Sequence, residues 1–159
     1  MITFQKIRWK NFLSTGDQFS EIDFQKNATN LIVGTNGTGK STVLDALTFS
    51  LFNKPFRKIN KSQLVNATNE KDAQVEVEFD INGRQYLVRR CMKPNLFEIE
   101  VDGQKMHKQA DDRAMQKILE ENILKVNYKS FTQIVILGSS AFVPFMQLSG
   151  TNRREVIED

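Results

Sequence analysis

The stretch that decides the fold is Gly34-Thr35-Asn36-Gly37-Thr38-Gly39-Lys40-Ser41. It fits G-x-x-x-x-G-K-[ST] at every fixed position, the pattern of a phosphate-binding loop, or Walker A motif. Its glycines let the backbone wrap closely around an anion, and the amides from Gly37 to Thr42 are predicted to point at phosphate oxygens. Lys40 is predicted to reach the β- and γ-phosphates as the catalytic lysine, and the Ser41 hydroxyl to ligate Mg²⁺.

The sequence on either side of this loop has the context that the motif requires. The apolar run Leu31-Ile32-Val33 precedes it and predicts a central strand buried on both faces. From Lys40 to Phe52 apolar residues recur at helical spacing, and Pro55 follows the predicted helix. Because strand, loop and helix agree, the sequence predicts an α/β fold of the P-loop NTPase class with a nucleotide site.

Alternating apolar residues elsewhere predict an antiparallel β-subdomain. Residues 2–12 and 19–25 are predicted strands, the first with a bulge because its apolar parity changes between Phe4 and Ile7. Two further strands, 75–81 and 85–91, meet at Asn82-Gly83, a dipeptide typical of a tight hairpin. The remaining predicted elements are a strand over 97–101, a helix over 110–125, a strand over 134–137 and a final helix capped by Ser149 or Thr151.

The composition is that of an ordinary globular chain. It has 159 residues, 40% hydrophobic and 26% charged, about one domain's worth. No apolar run approaches the ~18 residues of a membrane span and the charged N-terminus is unlike a signal peptide, so we expect no membrane partner and a cytoplasmic location. One cysteine and one histidine exclude a disulfide within the chain and a Cys/His zinc site. Residues 1–71 carry 10 Lys/Arg against 5 Asp/Glu, a balance compatible with phosphate or nucleic-acid partners.

A hydrolytic P-loop site also needs a carboxylate at the end of a second buried strand, and we find no such strand in the sequence. The predicted strands that end near Asp80 and Asp102 alternate and border hairpin turns, as half-exposed antiparallel strands do. The apolar segment 134–137 ends at Gly138. The sequence therefore predicts a nucleotide cradle without a complete hydrolytic site.

Several runs around the loop resemble one family of ATPases. They are Lys10-Asn11-Phe12, residues 36–42, Leu44-Asp45-Ala46-Leu47, Thr48–Arg57, residues 131–138 and Pro144-Phe145-Met146. Together they resemble the start of an ABC-type, SMC-like ATPase, and within that class the SbcC family of double-strand-break repair ATPases. The resemblance covers the whole chain. It is most specific for the phage branch of the family, the large subunits of recombination endonucleases of T-even-like phages.

This resemblance implies the N-terminal lobe, lobe I, of a split ATPase head. Residues 1–148 would form the lobe, and residues 149–159 would begin the helix that leads into a long coiled coil. The C-terminal half of the head would then supply the signature motif and Walker B. The resemblance also implies ATP and Mg²⁺ as ligands, and the host cytoplasm as the location of a phage-encoded form.

The resemblance also carries site residues onto this sequence. The family loop that lies against the base corresponds to Asn66-Ala67-Thr68. The place of the family's Q-loop glutamine falls on Ser139, which implies a contact to the metal through water, and Leu13 stands where many relatives place an arginine. The complete predicted nucleotide set is Gly34, Asn36, Gly37, Thr38, Gly39, Lys40, Ser41, Thr42, Asn66, Ala67 and Thr68, with Ser41 and Ser139 at the metal.

The leading hypothesis is the ATP-binding half of an ATPase head. With its C-terminal half, a second head in an ATP-dependent dimer and an SbcD-like metal-dependent nuclease, it would drive DNA end processing in recombination and double-strand-break repair. The chain alone is expected to bind ATP and to hydrolyse it poorly. Two alternatives stay open: a self-contained small P-loop kinase or NTPase, and a non-catalytic DNA-binding fragment. Candidates for DNA contacts are Lys54, Arg57, Lys58 and Lys61.

Overall fold

The computed structural model describes residues 1–107, 111–136, 147 and 149–158. The chain divides into two units, Met1–Lys108 and Gln109–Asp159, and the loop 34–41 lies in the first. The predicted division after residue 148 stays a prediction. Within the described ranges, no helix has the length and apolar character needed to cross a membrane.

Antiparallel strands form one six-stranded sheet in the first unit, in the order β2-β1-β3-β4-β5-β6. The strands are β1 (Ile2–Lys10), β2 (Ser20–Asp23), β3 (Ala73–Ile81), β4 (Arg84–Met92), β5 (Leu96–Val101) and β6 (Gln104–Lys105). The register of β1 against β3 shifts between Phe4 and Lys6, which is the predicted bulge. Asn82 and Gly83 have φ angles of 52° and 84°, as a tight primed turn requires. The antiparallel β-subdomain is therefore confirmed.

One face of this sheet packs against helix α1 (Thr42–Phe52), which begins directly after the loop. Phe49 of α1 is 0% exposed, and its ring centroid lies 5.7 Å from that of Phe12. At the end of α1, Arg90 of β4 donates from Nε to the carbonyl oxygen of Ser50 at 3.1 Å. Burying an aromatic or branched side chain contributes roughly 1.5–3 kcal/mol, so this packing fixes α1, and with it the loop at its start, against the sheet.

The opposite face of the sheet carries a ladder of ion pairs. Glu76 of β3 accepts from Nε of Arg8 and, at 2.7 Å, from Nε of Arg89. Arg89 also donates to Glu98 at 2.9 Å, and Glu98 accepts from Lys105 at 2.8 Å. The ladder thus crosses the sheet from β1 to β6 with cations and carboxylates in alternation.

The ladder shifts the pKa of its carboxyl groups. Burial works to raise the pKa of Glu76, but the hydrogen bonds from Arg89 and Arg8 outweigh it and hold that pKa below its ordinary value. The hydrogen bond from Lys105 is the main cause that lowers the pKa of Glu98. Both carboxylates therefore stay ionised in the folded state at neutral pH.

The prediction of a buried strand over Leu31-Ile32-Val33 is wrong. These side chains are 86%, 43% and 78% exposed, and among the described residues no strand pairs with this run. An apolar run becomes a central strand only when neighbouring strands take up its backbone hydrogen bonds. The described strands pair with one another instead, so the run enters the loop without regular secondary structure.

The described residues of the second unit form helices. These are α2 (Asp112–Lys117), a π-helix (Ile118–Leu124) that continues it, α3 (Tyr128–Ile134) and α4 (Gly150–Glu158). Asp111 caps α2 by accepting from the amides of Arg113 and Ala114, and Ser149 caps α4 by accepting from the amide of Asn152 at 3.3 Å. The helix predicted over 110–125 and the final helix are confirmed.

The strand predicted over 134–137 is wrong for its described residues. Ile134 is the last residue of α3, and Val135 keeps right-handed helical backbone angles. The cause is local, because the Asn127 side chain accepts from the amide of Ser130 at 3.0 Å and starts a helix just before the apolar run. Leu137 lies outside the described residues.

Candidate functional site

Two glycines with positive φ shape the loop 34–41. Gly37 and Gly39 have φ angles of 87° and 88°, a region in which a side chain is strained. A Cβ on Gly39 would also lie 3.3 Å from Oγ1 of Thr42, and a Cβ on Gly34 only 2.5 Å from Oγ1 of Thr38. The loop can keep this curvature only with glycine at these positions.

Several backbone amides of the loop have no acceptor among the described residues. They include those of Gly37, Gly39, Lys40 and Ser41, which line the cavity described below. The amides of Thr38 and Thr42 donate within the loop instead, to Thr35 at 3.3 Å and to Gly39 at 2.9 Å. Because unpaired N–H groups and the helix dipole meet at the start of α1, this point attracts an anion.

The Lys40 side chain reaches back to the start of the loop. Its ammonium donates to the carbonyl oxygens of Gly34 at 2.6 Å and Thr35 at 2.8 Å. An ammonium carries three N–H donors, so one remains for a ligand. Neither carbonyl neutralises the charge, and Lys40 therefore brings a full positive charge to the cradle.

Ser41 occupies the N-cap position of α1 but makes no side-chain capping hydrogen bond, and it is exposed. Its hydroxyl oxygen is thus available as the hard ligand that Mg²⁺ prefers. Within the described ranges, no three His, Cys, Asp or Glu side chains cluster as a metal site. The residues present fit a divalent ion held by Ser41 together with phosphate oxygens, the arrangement of other P-loop proteins.

An open cavity of about 520 Å³ lies at the loop. Three segments enclose it: the turn after β1, the loop with the start of α1, and the connection between α1 and β3. Lys40 and Arg57 are the cations among its described lining residues, which include no carboxylate. The lining residues are Leu13, Ser14, Asn36, Gly37, Gly39, Lys40, Ser41, Thr42, Arg57, Gln63, Val65 and Ala67.

Asparagine side chains join two of the segments that enclose the cavity, the turn after β1 and the connection between α1 and β3. Asn66, which is 9% exposed, donates from Nδ2 to the carbonyl oxygen of Leu13 at 3.0 Å and accepts from the amide of Asn69 at 3.0 Å. Asn69 in turn donates to Oδ1 of Asn11 at 2.6 Å. This network places Leu13 and Ala67 on the cavity, while the Asn66 side chain itself is committed to the loops.

A buried carboxylate joins α1 to the connection between α1 and β3. Asp45 of α1 is 0% exposed, and its Oδ1 accepts from the backbone amides of Phe56 at 3.0 Å and Arg57 at 2.9 Å. Its Oδ2 accepts from Nε of Arg57 at 2.6 Å. The helix that begins at the loop therefore also holds the arginine that lines the cavity.

The structure brings together most of the predicted nucleotide set. The predicted residues that line the cavity are Asn36, Gly37, Gly39, Lys40, Ser41, Thr42 and Ala67. Gly34 and Thr38 shape the loop, and the amide of Thr68 donates to Oδ1 of Asn66. Ser139 lies outside the described residues, so its place at the metal stays a prediction.

Sequence reasoning missed several lining residues as nucleotide-site candidates. Ser14, Gln63 and Val65 carry no motif and reach the cavity only through tertiary packing. Arg57 stands in a basic segment and was therefore predicted as a candidate for DNA contacts rather than for the nucleotide site. No local pattern places Arg57 at this cavity, because its contact with Asp45 is a tertiary one.

Comparisons with known proteins show what this chain is similar to. The model of the AAA domain family matches residues 6–158. Exonuclease subunit 2 of Escherichia phage RB69 is 43% identical over 97% of this chain and 27% of its own length. A DNA double-strand break repair Rad50 ATPase of Thermoplasma volcanium is 27% identical over 98% of this chain and 17% of its own length. This chain thus spans about a quarter or less of these relatives.

The fold has a counterpart among solved structures. A structure from work on ATP-driven dimerization and DNA stimulated activation of SMC ATPases superposes with a TM-score of 0.62 at 24% identity, covering 98% of both chains. Together with the glycine cradle, these matches place the chain: it belongs to the AAA domain family and is homologous to phage exonuclease subunits and Rad50 ATPases.

Proposed function

We propose that the cavity at residues 34–42 binds ATP with Mg²⁺, as the ATP-binding half of an SMC-like ATPase head. The observation that carries the proposal is the convergence of the open amides, Lys40 and the start of α1 on a cavity whose described lining includes two cations and no carboxylate. Such a site recognises the phosphate chain of a nucleotide. Homology to exonuclease subunits and Rad50 ATPases supports this function over a self-contained kinase or a non-catalytic fragment.

Each residue has a defined task in this proposal. The amides of Gly37, Gly39, Lys40 and Ser41 bind phosphate oxygens, and Lys40 adds a charge at the β- and γ-phosphates. Ser41 orients the metal, and Mg²⁺, when bound, neutralises charge that develops on the phosphates. Leu13, Val65 and Ala67 form the apolar part of the lining, which suits the flat face of the base.

The whole protein's activity needs more than these residues. Phosphoryl transfer relies on charged groups placed around the γ-phosphate, and no carboxylate lines the described cavity. We propose that a C-terminal half of the head supplies them, and that a second head closes over the nucleotide. In the cytoplasm, this dimer would work with a metal-dependent nuclease resembling SbcD on DNA ends.

Magnesium dependence tests the proposed site. ATP affinity is measured by calorimetry with Mg²⁺ and with a chelator, for the wild type, Ser41→Ala and Ser62→Ala, an exposed serine that does not line the cavity. We expect Mg²⁺ to strengthen ATP binding in the wild type and Ser62→Ala, and much less in Ser41→Ala. An equal effect of Mg²⁺ in all three proteins would contradict the role of Ser41.

Phosphate release tests the half-head assignment. We expect negligible turnover by the chain alone, because losing one group that stabilises the transition state lowers the rate ~10²–10³-fold. Turnover should recover when the C-terminal half is added. Turnover of about 1 s⁻¹ by the chain alone, within the ordinary enzyme range, would instead support a self-contained NTPase or kinase.

A further inference from the structure

An uncharged polar side chain stands beside the apolar lining of the cavity. Gln63 lines the cavity and lies in a short 3₁₀-helix, Lys61–Leu64, within the connection between α1 and β3. Val65 and Ala67 follow it in the same segment and supply apolar lining. Phosphate oxygens attract cations and open amides, whereas the edge of a base is uncharged and is recognised by neutral donors and acceptors. Gln63 therefore has the chemistry to recognise a base.

One hydrogen bond fixes which end of the Gln63 side chain is free. Its Oε1 accepts from the backbone amide of Asn60 at 2.8 Å. Because a backbone N–H can only donate, the oxygen must face Asn60, and the NH₂ group must occupy the other end of the carboxamide. That NH₂ group has no partner among the described residues. Gln63 thus offers a hydrogen-bond donor to a ligand in the cavity.

The segment that carries Gln63 is anchored by its next two residues. Leu64 is 0% exposed, and its carbonyl oxygen accepts from the amide of Leu13 at 2.7 Å. Val65 forms a β-bridge with Phe12. A ligand that accepts from Gln63 therefore meets a donor on a backbone that is already ordered, which reduces the conformational entropy lost on binding.

We propose that Gln63 is a base-recognition residue of this cavity, and that its NH₂ group donates to a ring nitrogen of adenine. This inference rests on the proposed function, since it concerns the base of the same nucleotide. Adenine offers the ring nitrogens N1, N3 and N7 as acceptors and its 6-amino group as a donor. Because two donors cannot bond to each other, Gln63 contributes to ATP affinity through a ring nitrogen and not through the amino group.

The test uses the 159-residue chain and calorimetric titration with two probes, ATP and inorganic tripolyphosphate, which has the phosphate chain without the base. Gln63→Ala should weaken ATP binding about two- to tenfold, the range for one neutral hydrogen bond, and leave tripolyphosphate binding unchanged. The matched control is Gln104→Ala, because Gln104 is an exposed glutamine of β6 that does not line the cavity. It should bind both probes like the wild type. Equal losses for both probes in Gln63→Ala would contradict base recognition.

Gln63→Glu separates base recognition from the local bond to Asn60. Glutamate keeps an oxygen for the Asn60 amide but has no N–H donor when ionised. Its charge repels both probes, so the quantity compared is the ratio of ATP affinity to tripolyphosphate affinity. We expect this ratio to fall in Gln63→Glu as it does in Gln63→Ala. A ratio equal to that of the wild type would show that Gln63 only holds the turn, and the proposal would be overturned.

Three analogues of ATP identify the accepting atom, each with CH in place of N1, N3 or N7. The wild type and Gln63→Ala should bind one of these analogues alike and should differ for the other two. An equal difference between the two proteins for all three analogues would place the contact on the ribose and overturn recognition of the base.

Failure of the nucleotide site itself gives a different result. If Lys40→Ala weakens both probes while Gln63→Ala and Gln104→Ala bind ATP alike, the site stands and the role of Gln63 is overturned. If Lys40→Ala changes the affinity for neither probe, the proposed function fails first.

Discussion

The arginines on the sheet and the lysine of the loop, all in the first unit, are paired in opposite ways. On the sheet, Arg8 and Arg89 are neutralised by Glu76, a carboxylate that is 2% exposed. In the cavity, Lys40 donates to backbone carbonyls, which carry no net charge. Positive charge is thus cancelled inside the sheet and retained at the loop.

The difference separates stability from binding. In the ladder, removing one partner of a buried ion pair leaves a charge uncompensated and lowers the free energy of unfolding. A charge that only carbonyl oxygens hold is restrained in position yet still attracts an anion. We therefore expect variants of the ladder to alter stability, and variants of the loop to alter affinity.

The largest effect is expected from Glu76→Gln. This change leaves two guanidinium groups without their shared carboxylate, and losing a hydrogen bond to a charged group costs about 1.5–3 kcal/mol. The free energy of unfolding, measured with urea, should fall by that amount while ATP affinity stays unchanged. Glu78→Gln is the matched control, since Glu78 is a half-buried β3 residue without an ion pair among the described residues. Equal losses in the two variants would show that the ladder adds no stability.

A smaller effect is expected from Gly39→Ala. A residue with a side chain at φ of 88° is strained, by roughly 1–2 kcal/mol, and the new Cβ would crowd Thr42. Relaxing that strain turns the open amides, so ATP affinity should fall about tenfold. Gly16→Ala is the control because nothing lies within 4 Å of its Cβ. Unchanged affinity in Gly39→Ala would contradict the curvature assigned to the loop.

The smallest effect is a pH dependence confined to the ladder. The folded-state pKa of Glu76 is below its ordinary value of 4.5, so its ionisation stabilises the fold above that pH. This contribution is lost as pH falls through the folded-state pKa. The stability gap between the wild type and Glu76→Gln should therefore narrow in acid, measured by urea unfolding between about pH 6 and pH 3. A gap that stays constant with pH would contradict the ionic character of the ladder.

Patterns within a few residues of each other predicted much of the molecule. The Asn82-Gly83 turn, the bulge after Phe4 and the start of α1 follow from backbone preferences and apolar spacing, and all are present. The glycine spacing also predicted the cradle, because the positive φ angles of Gly37 and Gly39 are a property of the loop itself.

Features that depend on distant partners could not be predicted in this way. The run Leu31-Ile32-Val33 has the composition of a buried strand, but burial needs neighbouring strands that a local pattern cannot supply. The run at Ile134 was predicted to be a strand because it is short and apolar, while the cap at Asn127 made its start helical. Arg57 joined the cavity through Asp45, a contact that apolar spacing does not encode.

The most direct test of the central claim is the titration of ATP into the wild type and Lys40→Ala. Loss of the ammonium contact to phosphate is worth about 1.5–3 kcal/mol, so we predict a ten- to hundredfold weaker affinity with little change in the melting temperature of the nucleotide-free protein. Lys105→Ala removes a cation from the ladder and should bind ATP like the wild type. Equal ATP affinity in Lys40→Ala and Lys105→Ala would contradict the assignment of the cavity as a nucleotide site.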